Sequence, residues 1–277
     1  MKNAIFQYMV VNKNVDERGD IEGQKRSVVY NDCAKISRRS FEEYAKKIGA
    51  DHIWSDKCEY AVTEDSTGIL FECLRVIYDP LFDQYDKVLF ADADIMVNTD
   101  ENIFDVCDDG EVFGVLESDI ITYSGGGYNS WDYKKETLAN FTKKFQQHGI
   151  PICPSLPPAR PSKLTILNTG IVVWTKEARL RAREEFLPWK EWYFTEPQYH
   201  MSVMNDQPYI SGQLMKHDFD LVTIDQTWND SPHYLTEDDF FKTAKMCHYT
   251  GGGWKIDMLR HYKEGRFMTK PPNLVTK

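Results

Sequence analysis

Short apolar runs alternate with stretches of helical periodicity in the first part of the chain, and this alternation most constrains the fold. The run 5–11 is largely apolar and suits a strand buried on both faces. Apolar residues at helical spacing follow over 37–48 and stop at Gly49, and a second apolar run occupies 87–90. Strands that alternate with helices are typical of βαβ units, so the sequence predicts an α/β fold with a parallel sheet.

The pattern continues along the chain with one long interruption. The other expected elements are a polar loop over 12–25, strands over 52–54, 111–117, 164–174 and 221–224, helices over 70–81, 176–189 and from near 205, and a closing strand and helix around 246–248 and 254–262. Glycines and prolines break the rhythm over 118–163, which we expect to be a loop excursion at the rim of the sheet. We therefore predict a single domain over 1–277, with a nucleotide-binding half in 1–117 and an acceptor half in 164–277.

Composition narrows the class of protein. A hydrophobic fraction of 42% in 277 residues indicates a globular chain with a sizeable core. The net charge of −10 argues against a nucleic-acid partner, and an anionic substrate would need a local cation. The sequence has no apolar run long enough for a membrane span and no signal-peptide pattern, so a soluble cytoplasmic protein of bacterial or viral origin is expected. The six cysteines lack C-x-x-C spacing, which favours reduced thiols over three disulfides.

An acidic pair stands where the predicted sheet would meet a ligand. Asp92 and Asp94 directly follow the apolar run 87–90, and ligands of open parallel sheets bind beyond the carboxyl ends of strands. Two carboxylates at that place can share Mn²⁺ or Mg²⁺, whose other ligands are often phosphate oxygens. The same triplet at Asp218 and Asp220 precedes its strand instead, so an exposed turn is predicted there.

Four segments resemble, in order, the motifs of one enzyme family. The segment 85–97, a hydrophobic strand followed by D-x-D, is similar to the hallmark of nucleotide-sugar glycosyltransferases with the GT-A fold. It is most similar to glycosyltransferase family 8, the glycogenin and bacterial galactosyltransferase group. The segments 167–174, 205–208 and 247–255 resemble the family's N-x-G strand, D-Q pair and H-x-x-G-x-x-K motif.

The resemblance implies a fold and an activity. The fold would be a GT-A, Rossmann-like mixed sheet flanked by helices. The activity would be metal-dependent transfer of a hexose or pentose from a UDP-sugar to a hydroxyl of a glycan or glycoprotein acceptor.

The resemblance also implies roles for individual residues. Asp92, Asp94 and His248 would hold Mn²⁺ or Mg²⁺. The donor would be contacted by Val11, Asn12, Arg75, Asp92, Asn168, Gly170, Gln207, Gly251 and Lys255. Lys255 would meet the phosphates during catalysis. Asp206 would be a general base if the enzyme inverts, or would steady the oxocarbenium-like face of the sugar if it retains.

Plainer interpretations of these residues stay open. Gly170 could admit a ligand close to the backbone or simply begin a strand. Asp206 could be an ordinary acidic residue at a helix start, and His248 a structural histidine. Four aromatic residues of the excursion could pack the loop or stack on an acceptor sugar: Tyr123, Tyr128, Trp131 and Tyr133.

Two rival functional classes were weighed against the transferase. A haloacid-dehalogenase-like phosphatase also places D-x-D after a hydrophobic strand, but it would have Thr or Val where Met96 stands. A sugar nucleotidyltransferase would need a glycine-rich loop after the first strand, and 11–15 contain no glycine. A catalytically silent sugar-binding relative is the non-enzymatic alternative, which donor turnover would exclude.

Overall fold

The computed structural model describes residues 1–10, 21–63, 68–116, 143, 146–150, 167–195, 206–231, 237–250 and 254–267. Within this part of the chain the predicted α/β fold is confirmed. The strands are β1 (Asn3–Tyr8), β2 (Asp51–Ser55), β3 (Lys87–Ala91), β4 (Ile95–Val97), β5 (Val112–Leu116), β6 (Leu167–Thr175), β7 (Leu221–Thr223) and β8 (Met246–His248). The helices are α1 (Ile21–Ile48), α2 (Arg75–Tyr78), α3 (Lys176–Glu185), α4 (Trp189–Phe194), α5 (Asp206–Lys216), α6 (Glu237–Thr243) and α7 (Trp254–Lys263).

Six strands form one mixed sheet in the order β2-β1-β3-β6-β5-β7. The parallel pairing predicted for the first part of the chain is confirmed, since β1 runs parallel to both β2 and β3. Strand β6 runs antiparallel to its neighbours β3 and β5, and β7 is parallel to β5. Five strands therefore end at the same edge of the sheet, which is where β3 delivers the chain to Asp92.

The central strands are buried on both faces of the sheet. Successive side chains of a strand point to opposite sides, so each face packs in a different cluster. Val88 and Phe90 of β3 join a cluster with helices α3 and α5, whereas Leu89 faces a second cluster that includes Phe41 and Tyr44 of α1. This packing explains why every residue of β3 after Lys87 is apolar. Helices on both faces fix the sheet and hold its carboxyl edge in place.

Helix α1 is longer than the sequence suggested. A polar loop was predicted to reach residue 25 and a helix only over 37–48, but the helix begins at Ile21. Its first half belongs to the helix because Val29, Cys33 and Ile36 pack against a cluster that includes Met258 of α7. That contact joins residues more than two hundred positions apart, so it left no local sign in the sequence.

Two of the expected helices are each divided into shorter segments. The helix predicted over 70–81 is a 3₁₀ segment (Gly68–Leu74) and α2, and it ends before Pro80 as expected. The helix predicted over 176–189 ends at Glu185, and Pro188 begins the separate helix α4.

A second, two-stranded sheet pairs β4 with β8 in antiparallel register. The segment 87–97 is therefore two strands in different sheets, with a turn at the acidic pair between them. Ile95 lies opposite His248 in this small sheet. The segment that follows Asp92 and Asp94 and the segment that carries His248 are thus held side by side, although they lie far apart in the sequence.

The described residues also bear on membrane-spanning helices and on disulfides. No helix in the described ranges is long and apolar enough to cross a bilayer. Cys33, Cys73, Cys107 and Cys247 are buried and form no disulfide, as reduced thiols would, whereas Cys153 lies outside the described residues.

Candidate metal centre

The carboxyl end of β3 presents the two aspartates at the edge of the sheet. The Asp92 N–H donates to the Gly170 carbonyl at 2.9 Å, and the Asp92 carbonyl accepts from Gln7 Nε2 at 3.1 Å. The chain then turns and re-enters structure as β4, where the Asp94 carbonyl accepts from the Tyr249 N–H at 3.0 Å. Backbone hydrogen bonds on both sides of the turn therefore fix the main-chain positions of Asp92 and Asp94.

His248 meets both carboxylates. Its Nε2 lies 3.5 Å from Asp92 Oδ2 and 3.4 Å from Asp94 Oδ1. One ligand atom from each of the three residues lies within 4.8 Å of the others. The His248 side chain is only 5% exposed and that of Asp92 is 39% exposed, so the cluster opens to solvent on the side of Asp92.

These residues fit a divalent cation. Asp94 Oδ1 is buried and accepts no hydrogen bond, and its ion-pair partner is the His248 ring 3.4 Å away, so a cation could satisfy this oxygen. Carboxylate oxygens and an imidazole nitrogen are a donor set that Mn²⁺ accepts in proteins. Asp92, Asp94 and His248 could therefore hold the ion together.

Without the ion, positive side chains balance the acidic pair. Burial opposes protonation of His248, but Asp94 and Asp92 outweigh it and raise the pKa of the imidazole to about 9. Burial likewise opposes ionisation of Asp94, yet Lys255 and His248 hold the pKa of that carboxyl well below its usual range. Metal binding must then displace a proton from His248, so affinity should rise with pH.

Lys255 lies directly against the acidic pair. Its Nζ donates to Asp94 Oδ2 at 2.6 Å and to the Tyr249 carbonyl at 3.3 Å, and it sits 4.8 Å from the centre of the Tyr30 ring. Burial disfavours the ammonium, but the Asp94 carboxylate outweighs that effect and raises the pKa of Lys255. The amine is therefore held as a cation beside the candidate metal ligands.

Asp206 is the first residue of α5 and is 6% exposed. Burial raises the pKa of its carboxyl to about 7, and the negative charge of Asp92 adds to the effect. Cys73 Sγ donates to Asp206 Oδ2 at 3.4 Å. The next residue, Gln207, accepts from the Thr169 N–H at 3.4 Å. The start of α5 is thus packed against the start of β6, which carries Asn168 and Gly170.

Comparison with solved structures agrees with this architecture. A glycosyltransferase involved in the glycosylation of the major capsid of PBCV-1 is 13% identical, with a TM-score of 0.50 over 95% of this chain and 100% of that one. The chain has a GT-A glycosyltransferase fold. Mouse xyloside xylosyltransferase 1 is 14% identical (TM-score 0.45, covering 90% of this chain and 98% of that one). The galactosyltransferase LgtC is 12% identical (TM-score 0.45, covering 97% of each chain). No protein-family model and no curated protein matches the sequence.

Arg75 has a defined place in the GT-A fold. Its guanidinium is 14% exposed and pairs with Glu59 at 3.0 Å and Asp79 at 2.9 Å. It also donates to Ser55 Oγ at 2.9 Å, at the end of β2. These contacts tie the segment after β2 to α2, and a role toward the donor stays a prediction.

Several residues that were predicted to contact the donor lie in parts of the chain that the structure does not describe. Val11, Asn12 and Gly251 lie outside the described residues. The same holds for the proposed stacking aromatics Tyr123, Tyr128, Trp131 and Tyr133. Their roles stay predictions.

Sequence reasoning missed one residue that touches the centre. Asn229, at the end of a 3₁₀ turn (Gln226–Asn229), is fully buried and its Oδ1 lies 2.8 Å from His248 Nδ1. Its Nδ2 donates to Asn168 Oδ1 at 2.8 Å. A single asparagine in a turn carries no periodic pattern, so nothing in the sequence alone separated it from other turn residues.

Proposed function

We propose that the protein is a metal-dependent glycosyltransferase that moves a hexose or pentose from a UDP-sugar to a hydroxyl of a glycan or glycoprotein acceptor. The observation that carries the proposal is the convergence of Asp92, Asp94 and His248 at the carboxyl edge of a GT-A sheet. Open α/β sheets bind their ligands at that edge. An acidic chain that binds a nucleoside diphosphate there needs a cation, and the three side chains supply its ligands.

The residues of the centre divide the work of stabilising the leaving group. Asp92, Asp94 and His248 would hold Mn²⁺ or Mg²⁺, which as a Lewis acid offsets the charge that develops on a departing diphosphate. Lys255 adds a second positive charge beside the same carboxylate, since its Nζ is 2.6 Å from Asp94 Oδ2. Donors arranged before the reaction stabilise developing charge without reorganisation.

Asp206 is the proposed acid–base or charge-stabilising residue. A pKa of about 7 lets its carboxyl exchange a proton near neutral pH, where general acid–base groups work best. It would deprotonate the acceptor hydroxyl in an inverting enzyme, or face the oxocarbenium-like sugar in a retaining one. Asn168, Gly170 and Gln207 lie beside it at the start of β6 and α5 and would line the donor sugar.

The fold and the site together favour this function over the alternatives. The GT-A architecture does not support a haloacid-dehalogenase-like phosphatase. A catalytically silent relative could keep the same acidic pair, so enzyme and silent relative are separated by turnover. Release of UDP from a UDP-sugar in the presence of an acceptor would distinguish an enzyme from a silent relative.

Nucleotide binding tests the metal requirement. UDP should raise the melting temperature only when Mn²⁺ or Mg²⁺ is present, because the cation would bridge the diphosphate to the acidic pair. At a hundred times the dissociation constant the stabilisation is about 2.7 kcal/mol. An equal shift in excess EDTA would contradict a metal-bridged site. GDP should compete less well than UDP, and tighter binding of GDP would contradict the uracil preference alone.

Alanine variants test the choice between the two acidic triplets. Asp92→Ala, Asp94→Ala and His248→Ala should each abolish most transfer. Asp218→Ala and Asp220→Ala are matched controls, since both residues are exposed and precede β7 at the opposite edge of the sheet. Release of UDP from the donor in the presence of an acceptor, and the melting temperature, would be measured for all five variants. Loss of activity in folded control variants, with activity kept at Asp92 and Asp94, would overturn the assignment.

A further inference from the structure

A chain of hydrogen bonds connects the backbone of β6 to the ring of His248. The Gly170 N–H donates to Asn168 Oδ1 at 2.9 Å, and Asn229 Nδ2 lies 2.8 Å from the same oxygen. Asn229 Oδ1 lies 2.8 Å from His248 Nδ1. Asn168, Asn229 and His248 are all buried, so these contacts do not compete with bulk water.

The chain has only one consistent direction. A backbone N–H can only donate, so the Asn168 atom that faces Gly170 must be the carbonyl oxygen. That oxygen can only accept, so Asn229 must present its NH₂ group to Asn168. The opposite end of the Asn229 amide, its oxygen, is then left facing His248. His248 Nδ1 must therefore carry a proton. When the imidazole is neutral, Nε2 is then the nitrogen left with a lone pair for a cation at the acidic pair.

The backbone around Asn229 is fixed relative to His248. The His248 N–H donates to the Asp230 carbonyl at 2.7 Å, and the Asp230 N–H donates to the Met246 carbonyl at 3.1 Å. The backbone of Gly170 packs against the same ring, because a Cβ there would come within 2.2 Å of His248 Cε1 and 2.6 Å of His248 Nδ1. The Nδ1 edge of the ring is therefore held by the backbone of residue 170 together with the amide of Asn229.

We propose that Asn229 is a positioning residue for the metal centre, which orients the His248 ring and keeps Nε2 as its metal-facing nitrogen. The proposal rests on the metal site of the proposed function. Partners of metal-bound histidines typically change metal affinity by about 10- to 100-fold when they are removed. Asn229 itself touches neither the metal ligands Asp92 and Asp94 nor, by this assignment, the substrate.

Two variants of Asn229 separate positioning from packing. Asn229→Ala removes the acceptor and should weaken Mn²⁺ binding to the nucleotide-free protein by about 10- to 100-fold, measured by electron paramagnetic resonance of free Mn²⁺. Asn229→Asp keeps an oxygen opposite His248 Nδ1, and its protonated acid can still donate to Asn168, so affinity should stay within about threefold of wild type. Loss of affinity in Asn229→Asp equal to that in Asn229→Ala would overturn the proposal.

Asn98→Ala is the matched control for the loss of a buried amide. Asn98 Nδ2 donates to the carbonyls of Phe241 and Ala244 and not to the metal centre. This variant should lower the melting temperature but leave Mn²⁺ affinity unchanged. A drop in affinity as large as that of Asn229→Ala would show that general loosening, and not orientation of His248, is the cause.

A measurement without metal keeps this inference separate from the proposed function. In ¹⁵N-labelled, metal-free protein the His248 Nδ1–H should be protected from exchange in wild type and Asn229→Asp, and unprotected in Asn229→Ala. A wild-type Nδ1 that bears no proton would overturn the inference, even if Mn²⁺ binds. Absence of Mn²⁺ binding in wild type with a protected Nδ1–H would refute the metal site of the proposed function while the orientation of the ring stands.

Discussion

Asp206→Asn should stabilise the protein, and by more as the pH rises. The carboxyl is 6% exposed, and burial, followed by the charge of Asp92, raises its pKa to about 7. A raised carboxyl pKa means that the folded state resists ionisation more than the unfolded chain does. The resulting penalty is absent below the unfolded pKa near 3.8, grows as the pH rises, and is complete above about 7. Asparagine has the same shape and carries no charge, so the variant escapes the penalty.

The size of the effect follows from the shift. A change from 3.8 to about 7 is roughly three units, and about 1.4 kcal/mol per unit makes about 4 kcal/mol at pH 8. At pH 5 only part of the penalty applies, about 2 kcal/mol, because the folded carboxyl is still protonated. The difference in unfolding free energy between variant and wild type should therefore widen by about 2 kcal/mol from pH 5 to pH 8.

Urea denaturation of both proteins at pH 5, 6, 7 and 8, without metal, would measure this difference. Asp225→Asn is a control with the opposite sign, because hydrogen bonds from Thr227 lower the pKa of Asp225. Asp225 therefore contributes stability above its unfolded pKa that is lost as the pH falls, and its asparagine variant should be destabilised at neutral pH. A pH-independent difference for Asp206→Asn would refute the claim that its ionisation is suppressed in the folded protein.

The remaining predictions concern backbone and buried charge. Gly170→Ala should destabilise by about 1–3 kcal/mol and weaken Mn²⁺ binding, because the new Cβ would lie 2.2 Å from His248 Cε1; denaturation and Mn²⁺ titration would show it, and unchanged affinity would contradict it. Arg179→Met should cost at least about 2 kcal/mol in urea denaturation, since three backbone carbonyls each lose the hydrogen bond that the buried guanidinium donates. A change under about 0.5 kcal/mol would count against this role. Asp218 has a φ of 53°, so Asp218→Val should cost about 1–2 kcal/mol in the same assay while Asp218→Gly stays near wild type; equal losses would argue against backbone strain.

The place of the acidic pair could be predicted from the sequence because its causes are local. The apolar run of 87–90 marks a strand buried on both faces, and the residues that follow such a strand must emerge at the edge of the sheet. The contrast with Asp218 and Asp220, which precede their strand and are exposed, was predictable for the same reason.

What the sequence did not reveal depends on contacts between distant segments. The extra turns of α1 exist because Cys33 packs in a cluster with Met258, far along the chain. Asn229 gains its significance from His248 and Asn168, which lie 19 and 61 residues away. Local periodicity cannot report such partners, because the same side chain in a turn would look identical if it faced water.

The pairing of Ile95 with His248 has a consequence for how the protein is made. A nascent chain that has reached β7 already holds every strand of the large sheet, but it has neither the imidazole nor the Lys255 amine at the acidic pair. A chain that ends before Met246 therefore carries Asp92 and Asp94 but lacks His248, the third residue of the candidate cation site. The groups of the candidate cation site therefore come together only once the β4–β8 strand pair has formed.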